Sequence, residues 1–156
     1  MDKRQVVRAL ALAPLALQLP MAHAQGAPFK IGLLTPMTGP FASTGKQMEA
    51  GARLYMQLNG TTVSGRKIEL ILKDDTGVPD VTKRLAQELI VNEKIDVLAG
   101  FGLTPLALAT APLATQSKTP MVNMLAATSA VIDASPYMVR SSMTLPQITL
   151  GIADWA

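Results

Sequence analysis

An α/β fold, a parallel sheet flanked by helices, is what this chain of 156 residues predicts. Apolar runs of strand length alternate with longer segments of helical period, and a crossover helix is the connection that parallel strands require. The most apolar stretch is broken by Gly and Pro where a strand-to-helix turn falls, so it reads as a buried strand and helix. There is no cysteine, so the fold must be held by its core.

Residues 1–24 come first and read as an export signal. Asp2, Lys3, Arg4 and Arg8 make a charged, net-positive start, residues 9–21 are almost wholly apolar, and Ala22-His23-Ala24 is the small-x-small pattern that signal peptidase cuts. The mature chain then begins at Gln25. The run is shorter than the ~20 apolar residues of a spanning helix. Lys3-Arg4 lacks a paired arginine, which favours the general secretory route over the twin-arginine one.

In the mature part, residues 29–34 form a strand that stops at Thr35-Pro36, and residues 43–58 place Met48, Ala52, Tyr55 and Met56 at helical spacing before Asn59-Gly60 ends the helix. Residues 67–73 alternate as a strand with Ile68, Leu70 and Leu72 on one face. Residues 80–91 are helical, with Val81, Leu85, Leu89 and Ile90 as their stripe. A third unit follows: strand 95–99, loop 100–105 and helix 106–116. Residues 121–124 are the fourth strand. The uncharged stretch 97–117 has the hydropathy of a membrane span, but Gly100, Gly102, Thr104, Pro105 and Pro112 break it.

Removal of the signal takes away the only histidine, His23, and leaves neither a His nor a Cys. A Ser-His-Asp triad, a Cys nucleophile and a His-ligated zinc site are thereby excluded, and no metal site is expected. Losing Lys3, Arg4, Arg8 and Asp2 takes the 14 basic and 11 acidic residues to 11 and 10, a net charge of +1. The basic residues are scattered, so nucleic acid is not an expected partner. Gly100-Phe101-Gly102 supplies two glycines of a dinucleotide fingerprint, but Pro105 stands where the third belongs. No cofactor is expected, and the chain does not read as an enzyme.

In an open parallel sheet, ligands bind at the carboxyl ends of the strands, near helix N-termini whose N–H groups are unpaired. Four loops meet there: residues 35–45, Asp74-Asp75-Thr76-Gly77, residues 100–105 and Leu125-Ala126-Ala127-Thr128-Ser129. A simpler reading exists for each: Thr104, Thr128 and Ser129 as helix caps, Asp74-Asp75 as a solvated turn, the glycines as punctuation. The residues alone leave both open.

The order of these pieces resembles the type I periplasmic solute-binding proteins, specifically the leucine/isoleucine/valine-binding family that feeds ABC transporters. The residues that carry it are Ile31-Gly32-Leu33 leading into Met37-Thr38-Gly39-Pro40 and Gly45, then Gly51-Ala52 and Asn59-Gly60, Gly65-Arg66-Lys67-Ile68-Glu69-Leu70 into Asp74-Asp75, and Thr119-Pro120-Met121-Val122 into Ala126-Ala127-Thr128. The resemblance implies a Rossmann-like lobe over residues 25–140, a hinge and the start of a second lobe over 141–156, and a protein more than twice this length. It also implies that a ligand's carboxylate and amino group are held by the hydroxyl of Thr104, by main-chain and hydroxyl groups of Ala126, Ala127 and Thr128, and beside Thr44, where the family often has an aromatic residue. By the same resemblance the chain is the periplasmic component of an importer that hands a branched-chain or related amino acid to a membrane permease. Aromatic or other small carboxylates are the alternative ligands, and a sensory receptor domain is the alternative role. Charge-assisted bonds from N–H groups and hydroxyls, about 1.5–3 kcal/mol each, suffice for a carboxylate without a fixed cation in the loops.

Overall fold

The computed structural model describes residues 26–155, so the export signal expected at residues 1–24 lies outside the described residues. In chain order the elements are β1 (Phe29–Thr35), α1 (Ala42–Asn59), β2 (Thr62–Val63), β3 (Arg66–Asp74), α2 (Pro79–Val91), β4 (Val97–Gly100), α3 (Thr104–Ser117), β5 (Met121–Asn123), a 3-10 turn (Ser129–Ala134), β6 (Met138–Arg140) and α4 (Leu145–Ala153). The four strands expected from periodicity are β1, β3, β4 and β5, and β6 falls within Tyr137-Met138-Val139-Arg140-Ser141-Ser142, where the family resemblance implies the strand that leads to the hinge.

The sheet order is β2-β3-β1-β4-β5-β6, parallel throughout except for the β2–β3 pair. The short strand β2 was not expected from hydropathy. It exists because Ser64 and Gly65 both take positive φ, 48° and 77°, the geometry of a two-residue hairpin turn. Two boundaries also move. Ile95 belongs to the connection before β4, where its N–H closes the end of α2 on Leu89 O at 3.3 Å. Helix α3 starts at Thr104 because Pro105 sits in its first turn, where a missing N–H costs no helical bond. The expected membrane-like stretch is thus β4 plus α3, and among the described residues no helix is long and apolar enough to cross a membrane.

Alternation along the strands divides the apolar residues between two faces. On one face α2 and α3 pack on each other and on the sheet, burying Leu34, Leu85, Leu89, Leu98, Phe101, Leu106 and Met121 in a single core. Gly32 is close to Leu89 and Ile95, so β1 approaches α2 where a side chain would not fit. The other face carries Ile31, Leu33, Ile68, Leu70 and Ala99, and α1 covers it through Ala52, Tyr55 and Met56 around an open apolar groove. Val122 and Val139, in register with Ala99 along this face, have less cover, and Val139 is 59% exposed. Helix α4 has no buried residue.

Candidate functional site

From β1 the chain runs through α1 out to β3, then returns past β1 to β4, β5 and β6. The reversal lies between β1 and β4, so their carboxyl ends bound the crevice in which open sheets of this kind hold ligands. Two glycines let the backbone close up there. A Cβ at Gly45 would lie 1.8 Å from Pro36 O, and one at Gly100, whose φ is +120°, would lie 1.9 Å from Leu34 O. The next residue, Phe101, is fully buried yet holds φ of 65°, a left-handed conformation that costs a bulky residue about 1–3 kcal/mol. Its ring fills the core while its strained backbone turns Gly102, Leu103 and Thr104 up to the rim.

Thr104 is the first residue of α3, whose N-cap is Leu103, and Thr128 precedes the 3-10 turn; neither helix end has a side-chain cap. Instead the two hydroxyls bond each other, with Oγ1 atoms 2.7 Å apart. The capping alternative for these two threonines is therefore not what their side chains do. The bond joins the β4 and β5 loops in an exposed position, where water or a ligand can compete for the same oxygens.

The loop beneath Thr128 is pinned from below. Asn123, fully buried at the end of β5, accepts the Ala126 N–H at 2.9 Å and donates to Ala126 O at 2.8 Å. Ala126 N–H also points to Phe101 O at 3.1 Å, so both main-chain groups of this 3%-exposed residue are spent inside the protein. Ala127 O accepts the Leu145 N–H at 2.9 Å. The N–H groups of Ala127 and Thr128 find no acceptor among the described residues, and these, with the two hydroxyls, are the donors the loop presents. Thr44, in the first turn of α1, brings its methyl within 3.9 Å of the Cβ position of Gly102. All five expected residues thus sit on loops or helix starts at one edge of the sheet.

Asp74 does not face the crevice as a free carboxylate. It accepts the Met37 N–H at 2.8 Å, the Thr38 hydroxyl at 2.7 Å and the Thr76 N–H at 2.8 Å, locking the β1 loop to the β3 loop. Partial desolvation pushes its pKa up, but the bonds from Thr38, Met37 and Thr76 outweigh it and hold the carboxyl below the usual range. Asp75 is the opposite case: burial pushes its carboxyl up, only partly opposed by the Gly77 N–H. Among the described residues no cluster of His, Cys, Asp or Glu is arranged to hold a metal ion.

Sequence reasoning missed Asn123 and Arg140. Asn123 reaches Ala126 three residues on within its own loop, whereas Arg140 acts on that loop because β6 pairs with β5 in register, Asn123 opposite Arg140.

Hydroxyls and unpaired N–H groups at the switch point of a parallel sheet make a setting suited to holding a polar ligand. The chain belongs to the periplasmic binding protein family, whose model matches residues 28–156. It is 43% identical over 125 residues to the Leu/Ile/Val-binding protein homolog 6 of Brucella abortus, covering 80% of this chain and 32% of that protein. A solute-binding protein of an ABC transporter from Rhodopseudomonas palustris BisB5, solved with 3,4-dihydroxybenzoic acid, is 60% identical with a TM-score of 0.81, covering 83% of this chain and 36% of that one. A leucine-binding protein from Thermotoga maritima is 27% identical with a TM-score of 0.76, covering 81% and 36%. The chain therefore spans about a third of the length of the curated relatives it matches.

Proposed function

We propose that this chain is the first ligand-binding lobe of an extracytoplasmic solute-binding component of an ABC importer, without catalytic activity of its own, and that it takes a small carboxylate. Residues 25–140 form the lobe, and 141–156 form the hinge and the opening of a second lobe. Residues 1–24 direct export to the periplasm, where the loaded protein meets its membrane permease. The observation that carries the reading is the uncapped Thr104–Thr128 hydroxyl pair on the loop in which the N–H groups of Ala127 and Thr128 have no acceptor among the described residues. A carboxylate exchanges that mutual hydroxyl bond for two charge-assisted ones and adds the N–H donors, without needing a cation in the crevice.

Aromatic hydroxy acids are the first choice of ligand, because the relative solved with 3,4-dihydroxybenzoic acid is 60% identical to this chain over the part that the two share. A branched-chain amino acid is the second reading, favoured by the Brucella homologue named for Leu, Ile and Val at 43% identity. Calorimetric titration of the chain with 3,4-dihydroxybenzoate, 4-hydroxybenzoate and leucine tests both. Saturable binding of the aromatic acids, weakened in T104A, is the expected result. Tighter binding of leucine selects the second reading, and heat from none of the three overturns the function.

A further inference from the structure

Arg140 is the last residue of β6, and its guanidinium reaches under the loop that carries Thr128. Nη2 donates to Thr128 O and, at 3.4 Å, to Ser129 O. Nε and Nη1 are buried and have no partner among the described residues. A buried unpaired donor is costly, the more so when charged, so this side chain is held in place against its own desolvation. Because no solvent reaches Nε or Nη1, a ligand in the crevice does not touch them; what the side chain does, it does through the two carbonyls it grips.

We infer that Arg140 is the positioning residue of the site: it fixes the Thr128–Ser129 backbone, and thereby sets the Thr128 hydroxyl against Thr104 and aims the Thr128 N–H into the crevice. Three further contacts close the same loop, Asn123 on Ala126, Leu145 N–H on Ala127 O, and Val131 N–H on Thr128 O at 3.2 Å. Thr104 meets the Thr128 side chain from outside, but among the described residues it is Arg140 that grips the main chain of Thr128 and Ser129 from outside the loop and its turn. The role extends the proposed function, since a positioned Thr128 matters to affinity only if the crevice binds a carboxylate.

The experiment separates the two claims. Amide hydrogen exchange of the 156-residue chain is measured for the wild type, R140M, R140Q and R140K. Expected in R140M is at least tenfold faster exchange at Val131 and Leu145, with Leu98 and Phe101, whose N–H groups bond Pro120 O and Leu34 O, unchanged. R140K, which keeps a donor for Thr128 O, restores most of the protection. If R140M does not fold, R140Q carries the comparison and shows an intermediate rise at the same two amides. Unchanged exchange at Val131 and Leu145, or equal acceleration at Leu98 and Phe101, overturns the assignment, the latter because a purely structural arginine loosens the whole fold. In parallel, 4-hydroxybenzoate is titrated into the wild type, T104A and R140M. A loss of tenfold or more in R140M is expected, and undiminished affinity beside a weakened T104A overturns the positioning role. Absence of binding by the wild type defeats the proposed function alone and leaves Arg140 to be judged by exchange.

Discussion

The two threonines differ from the helix-interior hydroxyls of this chain in having no local backbone job. Thr82, Thr110 and Thr115 each donate to a carbonyl four residues back in their own helices, whereas Thr104 and Thr128 bond across 24 residues of sequence at an exposed rim. Replacing either by Ala is expected to weaken binding of 3,4-dihydroxybenzoate by about 1–3 kcal/mol while moving stability by under about 1 kcal/mol, because the hydroxyl pair is already open to water. Calorimetry beside thermal melts checks both halves. Asp75 gives a second prediction at this scale. Its folded pKa is raised by burial, so between the ordinary carboxylate range and that higher value the folded state holds more protons than the unfolded one, and stability falls as pH rises through the window. Asp75→Asn removes the titration. The stability of D75N relative to wild type is expected to increase steadily from acid toward neutral pH, read from denaturant midpoints across the range; a pH-independent difference contradicts it.

At the scale of elements, the connection from β4 to α3 concentrates the backbone constraints of the site. Gly100 combines a φ of +120° with a carbonyl oxygen 1.9 Å from its Cβ position, so Gly100→Ala requires β1 and β4 to part. Strain and overpacking of this kind each cost about 1–3 kcal/mol, and G100A is expected to lose at least about 3 kcal/mol or fail to fold. Gly51, with nothing near its Cβ position and a helical setting, is the matched control: G51A is expected to gain up to about 1 kcal/mol. Helix α4 lies at the other extreme. A capping box between Thr144 and Gln147 starts it and the Leu145 N–H bonds Ala127 O, but no residue of it is buried, so beyond its first residue it has local order with little tertiary support. Its amides after Leu145 are expected to exchange orders of magnitude faster than those of α3, whose Leu106, Ala107, Ala111 and Ala114 are fully buried.

For the molecule as a whole, the two faces of the sheet are unequal. One is closed by α2, α3 and the 3-10 turn; the other is covered by α1 alone, leaving Val139 59% exposed, and Tyr55 67% exposed beside an apolar groove. Exposed apolar area of this extent takes up hydrophobic dyes. The folded chain is expected to enhance the fluorescence of anilinonaphthalene sulfonate, and V139K and Y55K to reduce that enhancement without loss of near-ultraviolet dichroism. An enhancement unaffected by either substitution places the dye elsewhere.

The sequence by itself determined the α/β class, the order of β1, β3, β4 and β5 with the helices between them, and the end of the sheet at which Thr44, Thr104, Ala126, Ala127 and Thr128 gather, because hydropathy period and turn residues are local properties of the chain. Its Gly/Pro-marked turn between β4 and α3 was legible for the same reason. What the tertiary structure alone decided was how those residues are wired. Ala126 was expected to offer its main chain to a ligand, yet Asn123 and Phe101 consume both of its groups. Thr104 and Thr128 could have been caps, and the structure gives their hydroxyls to each other. Arg140 carries no local signal of its role; pairing of β6 with β5 puts it beneath Thr128. Local preference acts over a few residues, whereas a hydrogen bond between side chains 24 residues apart depends on strand register, which is fixed only when the whole sheet is packed.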